Sequence, residues 1–255
     1  MIAAIIQARM GSTRFPNKMM ERVGSKPLIS LVIDRVGKST LIEKVILATT
    51  TKKDDDVLIQ IAIEKNIDFF RGSENDVLDR FYNAAKKYKV DTIVRITGDC
   101  PFIDPVVIDQ VIGLHLEAKS DYTSNIKPPT FPDGLDVEVF SFISLEKAWK
   151  EAKLNSEREH VTPYIWKNNK LFKIVNLFNK KDLSNIRLTI DEKEDLVLIK
   201  EIIKYINIEN FTIEDIILTI ENNPYMLEIN NKIKRNEGYE KSLIEDKNIG
   251  DVNYV

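Results

Sequence analysis

Short apolar runs alternate with stretches of helical spacing in the first half of the chain, and this alternation constrains the fold more than any other feature. Four runs have the length and apolar character of buried parallel strands: 2–7, 44–49, 67–70 and 91–96. Apolar residues recur at helical spacing in the segments between them: 28–36, 54–65 and 75–88. Repeated strand–helix–strand units cross over in one hand and cover both faces of a sheet. The sequence therefore predicts an α/β fold, a three-layer αβα sandwich with a mainly parallel sheet.

Capping residues indicate where several helices should begin. Three pairs carry this signal: Thr51 with Asp54, Asp104 with Pro105, and Ser156 with Glu159. The second pair predicts a helix over residues 105–118. The third pair predicts a helix whose interior is interrupted by Pro163.

The second half of the chain is less regular. Residues 120–134 contain three of the nine prolines and are predicted to form a long irregular loop. The regular elements expected beyond this loop are strands at 135–140, 172–178 and 186–190 and a helix at 193–206. We expect a main domain over residues 1–222 and a helical, partly irregular C-terminal appendage over residues 223–255.

Charge and composition argue against several classes of protein. The net charge of -3 disfavours a broadly basic surface for nucleic acid. The single cysteine, Cys100, excludes a disulfide within the chain and fits a reducing compartment. No apolar run approaches the ~20 residues that a membrane span needs, and the first residues lack the pattern of a signal peptide. The sequence predicts a cytoplasmic protein with neither nucleic acid nor membrane as partner.

The loop after the first apolar run is rich in groups that bind anions. Residues 5–18 read IIQARMGSTRFPNK, which places Arg9, Arg14 and Lys18 around the exposed backbone of Gly11. Neither a Walker P-loop nor a GxGxxG motif is present. Ligands of open α/β sheets collect at the carboxyl ends of strands, and guanidinium groups grip phosphate oxygens with two donors. The loop therefore suits a polyanion such as a triphosphate, and the alternative is a solvated turn.

Two aspartates follow later apolar runs. Asp99 lies in the segment RITGDCP and Asp191 in the segment RLTIDEKED. Each has a purely structural alternative, a turn for Asp99 and a helix N-cap for Asp191. Together they could hold one Mg²⁺ ion, which takes few carboxylates in addition to phosphate oxygens and water. The basic loop and both aspartates thus predict a site for a nucleoside triphosphate.

Six segments resemble one protein family over nearly the whole chain: IIQARMGSTRFPNKMMERVGSKPL, FRGSENDVLDRFYNAAKKY, VRITGDCPFIDP, DGLDVEVF, EREHVTPYI and RLTIDEKEDL. They are similar to the spore coat polysaccharide biosynthesis protein F family, as is the later stretch NEGYEKSL. That family belongs with the cytidylyltransferases that make CMP-activated acidic sugars. The resemblance implies a nucleotidyltransferase fold of the glycosyltransferase-A type, with residues 1–222 as its catalytic domain, and a homodimer.

The resemblance also implies roles for individual residues. Four would be catalytic: Arg9, Lys18, Asp99 and Asp191, with Asp99 and Asp191 as the ligands of Mg²⁺. The nucleotide would contact nine residues: Ala8, Arg9, Gly11, Ser12, Arg14, Lys18, Ser73, Asp79 and Arg80. The acceptor sugar would face four residues: Asp136, Glu138, Glu159 and His160.

The implied reaction is transfer of CMP from CTP to a hydroxyl of an acidic sugar, with release of pyrophosphate, in surface or spore-coat polysaccharide biosynthesis. The general base stays open between Asp99, acting through metal-bound water, and His160. The sugar does not carry over, because octulosonate enzymes usually have an acidic residue where Cys100 stands, and acylneuraminate enzymes have a more glycine-rich first loop. The alternatives are a metal-dependent glycosyltransferase that uses a nucleotide-sugar and a non-catalytic scaffold in glycan assembly.

Overall fold

The computed structural model describes the backbone of residues 1–252 and the side chains of residues 1–247. The strands are β1 (Ile2–Gln7), β2 (Arg22–Val23), β3 (Lys26–Pro27), β4 (Lys44–Thr50), β5 (Asp68–Gly72), β6 (Thr92–Thr97), β7 (Tyr122–Ser124), β8 (Glu138–Ser141) and β9 (Ile174–Asn176). The α helices are α1 (Leu28–Val36), α2 (Asp56–Glu64), α3 (Val77–Tyr88), α4 (Pro105–Ala118), α5 (Phe142–Glu151), α6 (Asn155–His160), α7 (Pro163–Lys167), α8 (Lys193–Ile202), α9 (Ile213–Asn222) and α10 (Glu237–Val252).

A seven-stranded sheet forms the centre of the protein, in the order β5-β4-β1-β6-β8-β7-β9. Strands β5, β4, β1 and β6 are parallel to one another, and β8 is antiparallel to both β6 and β7. The outermost pair, β7 and β9, is again parallel. The prediction of a mainly parallel sheet is confirmed.

Alternate residues of β1 face two separate hydrophobic cores, since successive side chains of a strand point to opposite faces. Ala4 and Ile6 belong to the core that contains the apolar residues of α1, α2, α4 and α8. Ala3 and Ile5 belong to the core that contains those of α3, α5 and α7. Helices therefore cover both faces of the sheet, and the predicted three-layer sandwich is confirmed.

The N-terminal cap of α4 is the one predicted from the sequence. The Asp104 carboxylate accepts hydrogen bonds from the backbone N–H groups of Val106, at 2.8 Å, and Val107, at 3.3 Å. Pro105 occupies the first turn, where its missing N–H needs no partner. The helix ends at Ala118, as predicted.

The other two capping predictions are wrong. A 3₁₀ turn, Lys53–Asp55, precedes α2, and neither this turn nor α2 has a side-chain cap. At α6, Ser156 lies inside the helix, and the carboxylate of Glu157 accepts from the N–H groups of Lys153 and Leu154 at 3.1 and 3.2 Å. The helix consequently begins earlier than Ser156 and Glu159 predict.

Three further predictions differ from the structure. The region 120–134, predicted as an irregular loop, contains β7, which pairs with strands on both sides. The predicted helix 193–206 ends at residue 202. The predicted strand 186–190 is an extended segment outside the sheet, because its backbone partners lie in loops: Leu188 N donates to Asp133 O at 2.7 Å, and Ile190 N donates to Asp99 O at 2.9 Å.

Gly134 allows this extended segment to lie close to the preceding loop. Its φ of +102° is in the region that favours glycine, and a Cβ atom there would lie 2.7 Å from the backbone of Leu188 and Thr189. Any side chain would displace the segment that leads to Asp191. The backbone of residues 133–134 thus helps to position one of the two candidate metal ligands.

Candidate active site

A cavity of about 480 Å³ opens where the chain changes direction across the sheet. From β1 the chain proceeds outward to β4 and β5, and it then returns to form β6 on the other side of β1. The loops that follow β1 and β6 leave a crevice at the carboxyl ends of these neighbouring strands, the usual ligand site of an open α/β sheet. Residues of the first loop, the end of β6, α6 and α10 line the cavity.

Asp55 anchors the first loop, although the sequence did not identify it. Its buried carboxylate accepts from the backbone N–H of Met10 at 2.8 Å and from the hydroxyl of Thr49 at 2.9 Å. Burial alone would raise the pKa of Asp55, but hydrogen bonds from Thr50, Met10 and Thr49 outweigh it and hold the pKa below its ordinary value. The run Asp54-Asp55-Asp56 contains no local signal that distinguishes its middle member.

The two predicted aspartates share one cation, the ammonium group of Lys18. Lys18 Nζ lies 2.8 Å from Asp99 Oδ2 and 2.9 Å from Asp191 Oδ1, and it also donates to the carbonyl of Ile190 at 2.8 Å. Burial disfavours the charged ammonium, but the two carboxylates outweigh that cost and raise the pKa of Lys18. The structure brings Asp99 and Asp191 together as predicted, but around Lys18, which was expected on the phosphates. Their roles toward a metal ion and a nucleotide stay predictions.

Asp191 is surrounded by basic groups. Arg14 lies 2.8 Å from its Oδ1, and Arg187 lies 2.9 Å from its Oδ2. Burial would raise the pKa of Asp191, but Lys18, Arg14 and Arg187 together lower it to about 2. The alternative role as a helix N-cap is wrong, because Glu192 is the N-cap of α8, and the carboxylate of Asp195 accepts from the N–H groups of Asp191 and Glu192.

Arg80 places a buried guanidinium group at the cavity. The residue is 2 % exposed and lines the cavity, and Nη1 donates to the carbonyl of Ser73 at 2.6 Å. Its buried Nε has no hydrogen-bond partner within the described part of the chain. Burial, and then the charge of Arg9, lowers the pKa of Arg80 to about 10. A buried donor without a partner beside a second arginine is suited to an anionic ligand.

The structure brings nine predicted site residues besides Arg80 to the lining of the cavity: Ala8, Arg9, Ser12, Arg14, Lys18, Asp99, Glu159, His160 and Asp191. Arg9 lies 3.7 Å from Glu74, and the Ser12 hydroxyl accepts from the N–H of Phe15 at 3.3 Å. Their roles toward a ligand stay predictions.

Five predicted site residues lie outside the lining: Gly11, Ser73, Asp79, Asp136 and Glu138. Gly11 belongs to the exposed part of the first loop, and Ser73 contributes its carbonyl to Arg80. Asp79 accepts from the indole N–H of Trp149 at 2.8 Å, which joins α3 to α5. These residues contact the elements around the cavity but do not line it.

The two acidic residues of the DGLDVEVF segment are held by neighbouring side chains. Arg235 binds Asp136 at 2.6 Å, and burial raises the pKa of Asp136 to about 7 despite this partner. Glu138 is buried and accepts from the hydroxyl groups of Tyr122, at 2.7 Å, and Thr162, at 2.6 Å. Neither residue lines the cavity, and their role toward an acceptor stays a prediction.

The segment predicted as an appendage supplies a wall of the same cavity. Five residues of α10 line it: Glu237, Gly238, Lys241, Ser242 and Glu245. Residues i, i+3, i+4 and i+7 of a helix share one face, so the spacing of residues 238, 241, 242 and 245 could have indicated from the sequence that they lie together. Residues 253–255 of the predicted appendage lie outside the described residues.

The candidate ligands of a metal ion are two carboxylates. Among the described residues, no group of three or more His, Cys, Asp and Glu side chains could hold a metal ion. Asp99 and Asp191 nevertheless each place an oxygen within 2.9 Å of the same nitrogen, so they are spaced to share one cation.

Within residues 1–252, no helix combines the length and apolar character required to cross a membrane.

The mixed sheet, the basic loop after β1 and the paired aspartates fit an enzyme of the nucleotidyltransferase class. The family model for cytidylyltransferases matches residues 3–233, and the chain belongs to that family. The resemblance found in the sequence motifs is thereby confirmed.

Curated and solved relatives agree with this assignment. The chain is 38% identical over 205 residues to the spore coat polysaccharide biosynthesis protein SpsF of Bacillus subtilis, covering 78% of this chain and 85% of that protein. It is 39% identical over 114 residues to the 3-deoxy-manno-octulosonate cytidylyltransferase of Trichlorobacter lovleyi, covering 44% of this chain and 43% of that protein. The structure of a cytidylyltransferase from Leptospira borgpetersenii superposes with a TM-score of 0.87 at 37% identity, covering 92% of this chain and 99% of that one.

Proposed function

We propose that the enzyme transfers CMP from CTP to a hydroxyl of an acidic sugar and releases pyrophosphate, in surface or spore-coat polysaccharide biosynthesis. The observation that carries the proposal is the placement of Lys18, Asp99 and Asp191 together below the basic first loop. Two relatives, a spore coat polysaccharide biosynthesis protein and a 3-deoxy-manno-octulosonate cytidylyltransferase, support the sugar class. A cytoplasmic homodimer, with neither nucleic acid nor membrane as partner, is part of the same proposal.

The basic residues of the cavity account for the chemistry that the chain itself supplies. Nucleotidyl transfer depends mainly on positioning and on neutralising the charge of the phosphate oxygens. Arg9, Arg14 and Arg80 lie around the cavity as donors for a triphosphate, and Lys18 is held charged by its two aspartates. These cations would stabilise the charge that develops on the departing pyrophosphate while the sugar hydroxyl attacks the α-phosphorus from the opposite side.

Asp99 and Asp191 fit a magnesium ion by their chemistry, and both contact the same cation in the structure. Mg²⁺ is commonly bound through one or two carboxylates, with substrate phosphates and water completing its shell. When bound, the ion would neutralise charge on the phosphate oxygens of the nucleotide. The two aspartates would hold it, and Lys18 and Arg14 would remain as the fixed positive charges beside them.

Nucleotide binding tests the proposal without any need to know the sugar. In calorimetric titrations, we expect CTP to bind more tightly than UTP, GTP, ATP or a nucleotide-sugar such as UDP-glucose. Arg80→Met should weaken CTP binding by about 10- to 100-fold, since a charge-assisted hydrogen bond contributes about 1.5–3 kcal/mol. Arg22→Met is the matched control, because Arg22 is exposed and does not line the cavity.

A glycosyltransferase would bind a diphosphate donor instead of a triphosphate. Preferential binding of the nucleotide-sugar over CTP would therefore contradict the proposal. If CTP binds equally tightly to the wild type and to Arg80→Met, Arg80 does not contribute to nucleotide binding. Thermal unfolding of each variant checks that the loss of affinity is not a loss of fold.

A further inference from the structure

We infer that α10 forms the acceptor subsite and that Lys241 binds the carboxylate of the sugar acid, an inference that rests on the proposed function. The cavity has two differently charged walls. The first loop and Arg80 form a basic wall, and Glu159, His160 and the lining residues of α10 form a second wall. Because both substrates of a transfer must meet in one cavity, the wall that does not receive the triphosphate faces the acceptor.

Direct contacts fix the position of α10. The Ser242 hydroxyl donates to Glu159 Oε2 at 2.8 Å and lies 3.0 Å from His160 Nε2. Ser242 is 2 % exposed, and the ring of Tyr239 meets that of His160 edge-on with centroids 5.2 Å apart. The helix is therefore docked on α6 through a partly buried polar contact, which defines the face that it presents to the cavity.

Near its start, α10 also contacts the nucleotide wall. Glu237 Oε2 lies 3.4 Å from Arg14 Nη1, so the charge of this carboxylate is offset by a residue of the first loop. The preceding Arg235 binds Asp136 at 2.6 Å and donates to the carbonyl of Phe131 at 3.3 Å. The start of α10 is thus held against the first loop by Glu237 and against the segment before β8 by Arg235.

Lys241 is the cation of this wall. It lies on the same face of α10 as Ser242 and Glu245, and it is exposed at the cavity. Within the described side chains, no carboxylate lies within 4.0 Å of its ammonium group. Arg14 and Lys18, which belong to the basic wall, are both paired with Asp191. Lys241 is therefore available for an anionic group that arrives with the acceptor.

The remaining groups complement the rest of a sugar acid. A sugar acid presents a carboxylate together with several hydroxyl groups. The ammonium of Lys241 matches the carboxylate, and the carboxylate of Glu245, one helical turn further on, can accept from hydroxyls. Glu159 is already engaged by Ser242 and Glu237 by Arg14, which reduces the repulsion that an acid would meet at this wall.

α10 begins at Glu237, just beyond the residues that the cytidylyltransferase model matches, 3–233. Its first residues belong to the stretch NEGYEKSL, which resembles the spore coat polysaccharide biosynthesis protein F family. The acceptor wall therefore combines two residues inside the matched range, Glu159 and His160, with a helix that follows it.

The test uses the full-length enzyme with CTP and two sugar acids, 3-deoxy-manno-octulosonate and N-acetylneuraminate, each compared with its methyl ester. We expect the wild type to prefer the acid over the ester in kcat/KM. Lys241→Gln should raise KM for the acid by about 10-fold or more, should leave KM for CTP unchanged, and should abolish the preference over the ester. Lys241→Arg should retain the preference. Lys247→Gln is the matched control, because Lys247 is exposed on the same helix but does not line the cavity.

Two results separate the inference from the proposed function. If the wild type transfers CMP and Lys241→Gln keeps both the KM for the acid and the preference over the ester, the inference is overturned and the function stands. If neither acid is turned over, titration of each acid into the CTP-loaded protein decides. Binding that requires the carboxylate and is lost in Lys241→Gln supports the subsite, and its absence overturns it.

Discussion

Asp99→Asn is expected to lower kcat by about 10²- to 10³-fold, the range seen when one preorganised electrostatic group is removed from an active site. The amide keeps the size of the side chain but removes the negative charge that, with Asp191, flanks Lys18 Nζ at 2.8 Å. It also removes one of the two carboxylates proposed to hold Mg²⁺. Initial rates of pyrophosphate release at saturating CTP measure the effect.

Folding should survive the substitution at Asp99, because its side chain is partly exposed and its backbone carbonyl still accepts from Ile190. Asp54→Asn is the matched control, since Asp54 is exposed and lies outside the cavity lining. Its rate should equal that of the wild type. An Asp99→Asn variant that keeps more than about a tenth of the wild-type kcat would contradict a direct role for this carboxylate.

Arg187→Met is expected to lower the free energy of unfolding by about 3–5 kcal/mol, the cost of leaving buried charges without a partner. Arg187 is 9 % exposed and lies within 2.9 Å of carboxylate oxygens of Asp133, Asp191 and Asp195. Asp195 is fully buried, so its charge would have no access to water once the guanidinium is gone. Urea unfolding followed by circular dichroism measures the change.

Lys181→Met provides the contrast for Arg187→Met. Lys181 also forms an ion pair, with Glu221 at 2.9 Å, but both side chains are more than half exposed. Water and salt screen such a pair, so its loss should cost about 0–1 kcal/mol. If the two variants unfold at the same urea concentration, the buried cluster around Arg187 does not stabilise the fold as its geometry indicates.

Local periodicity was sufficient to predict much of the sheet and its helices. The bounds predicted for β1, α1 and α4 agree with the structure, because apolar spacing and the Asp104-Pro105 cap act within a few residues. The approach of the first loop to Asp99 was also predictable, since β1 and β6 are neighbouring parallel strands whose carboxyl ends lie at one edge of the sheet. Asp191 reaches them from a segment outside the sheet.

Contacts between distant, irregular segments could not be predicted in the same way. Asp55 supports the first loop through a hydrogen bond to Met10, 45 residues away, and nothing in the local run of three aspartates indicates this. The segment 186–190 reads as a strand because it is apolar, yet its backbone partners are single residues in two loops. Such pairings depend on the assembled fold and leave no periodic pattern in the sequence.

The contribution of α10 to the cavity was not predicted from the sequence, for a related reason. Residues 223–255 are rich in Asn, Lys and Glu, a composition that suggests a peripheral segment. What brings α10 to the cavity is a small number of specific contacts, above all those of Ser242 with Glu159 and His160. Average composition does not record contacts of this kind.

Pyrophosphate release by the purified wild-type enzyme tests the central claim most directly. The enzyme would be incubated with Mg²⁺, one of CTP, UTP, GTP or ATP, and one of a panel of acidic sugars, and the nucleotide product would be identified by mass spectrometry. The account predicts release that requires both CTP and a sugar acid, with one CMP-sugar formed for each pyrophosphate. Absence of pyrophosphate release with every combination, or transfer of sugar from a nucleotide-sugar instead, would contradict it.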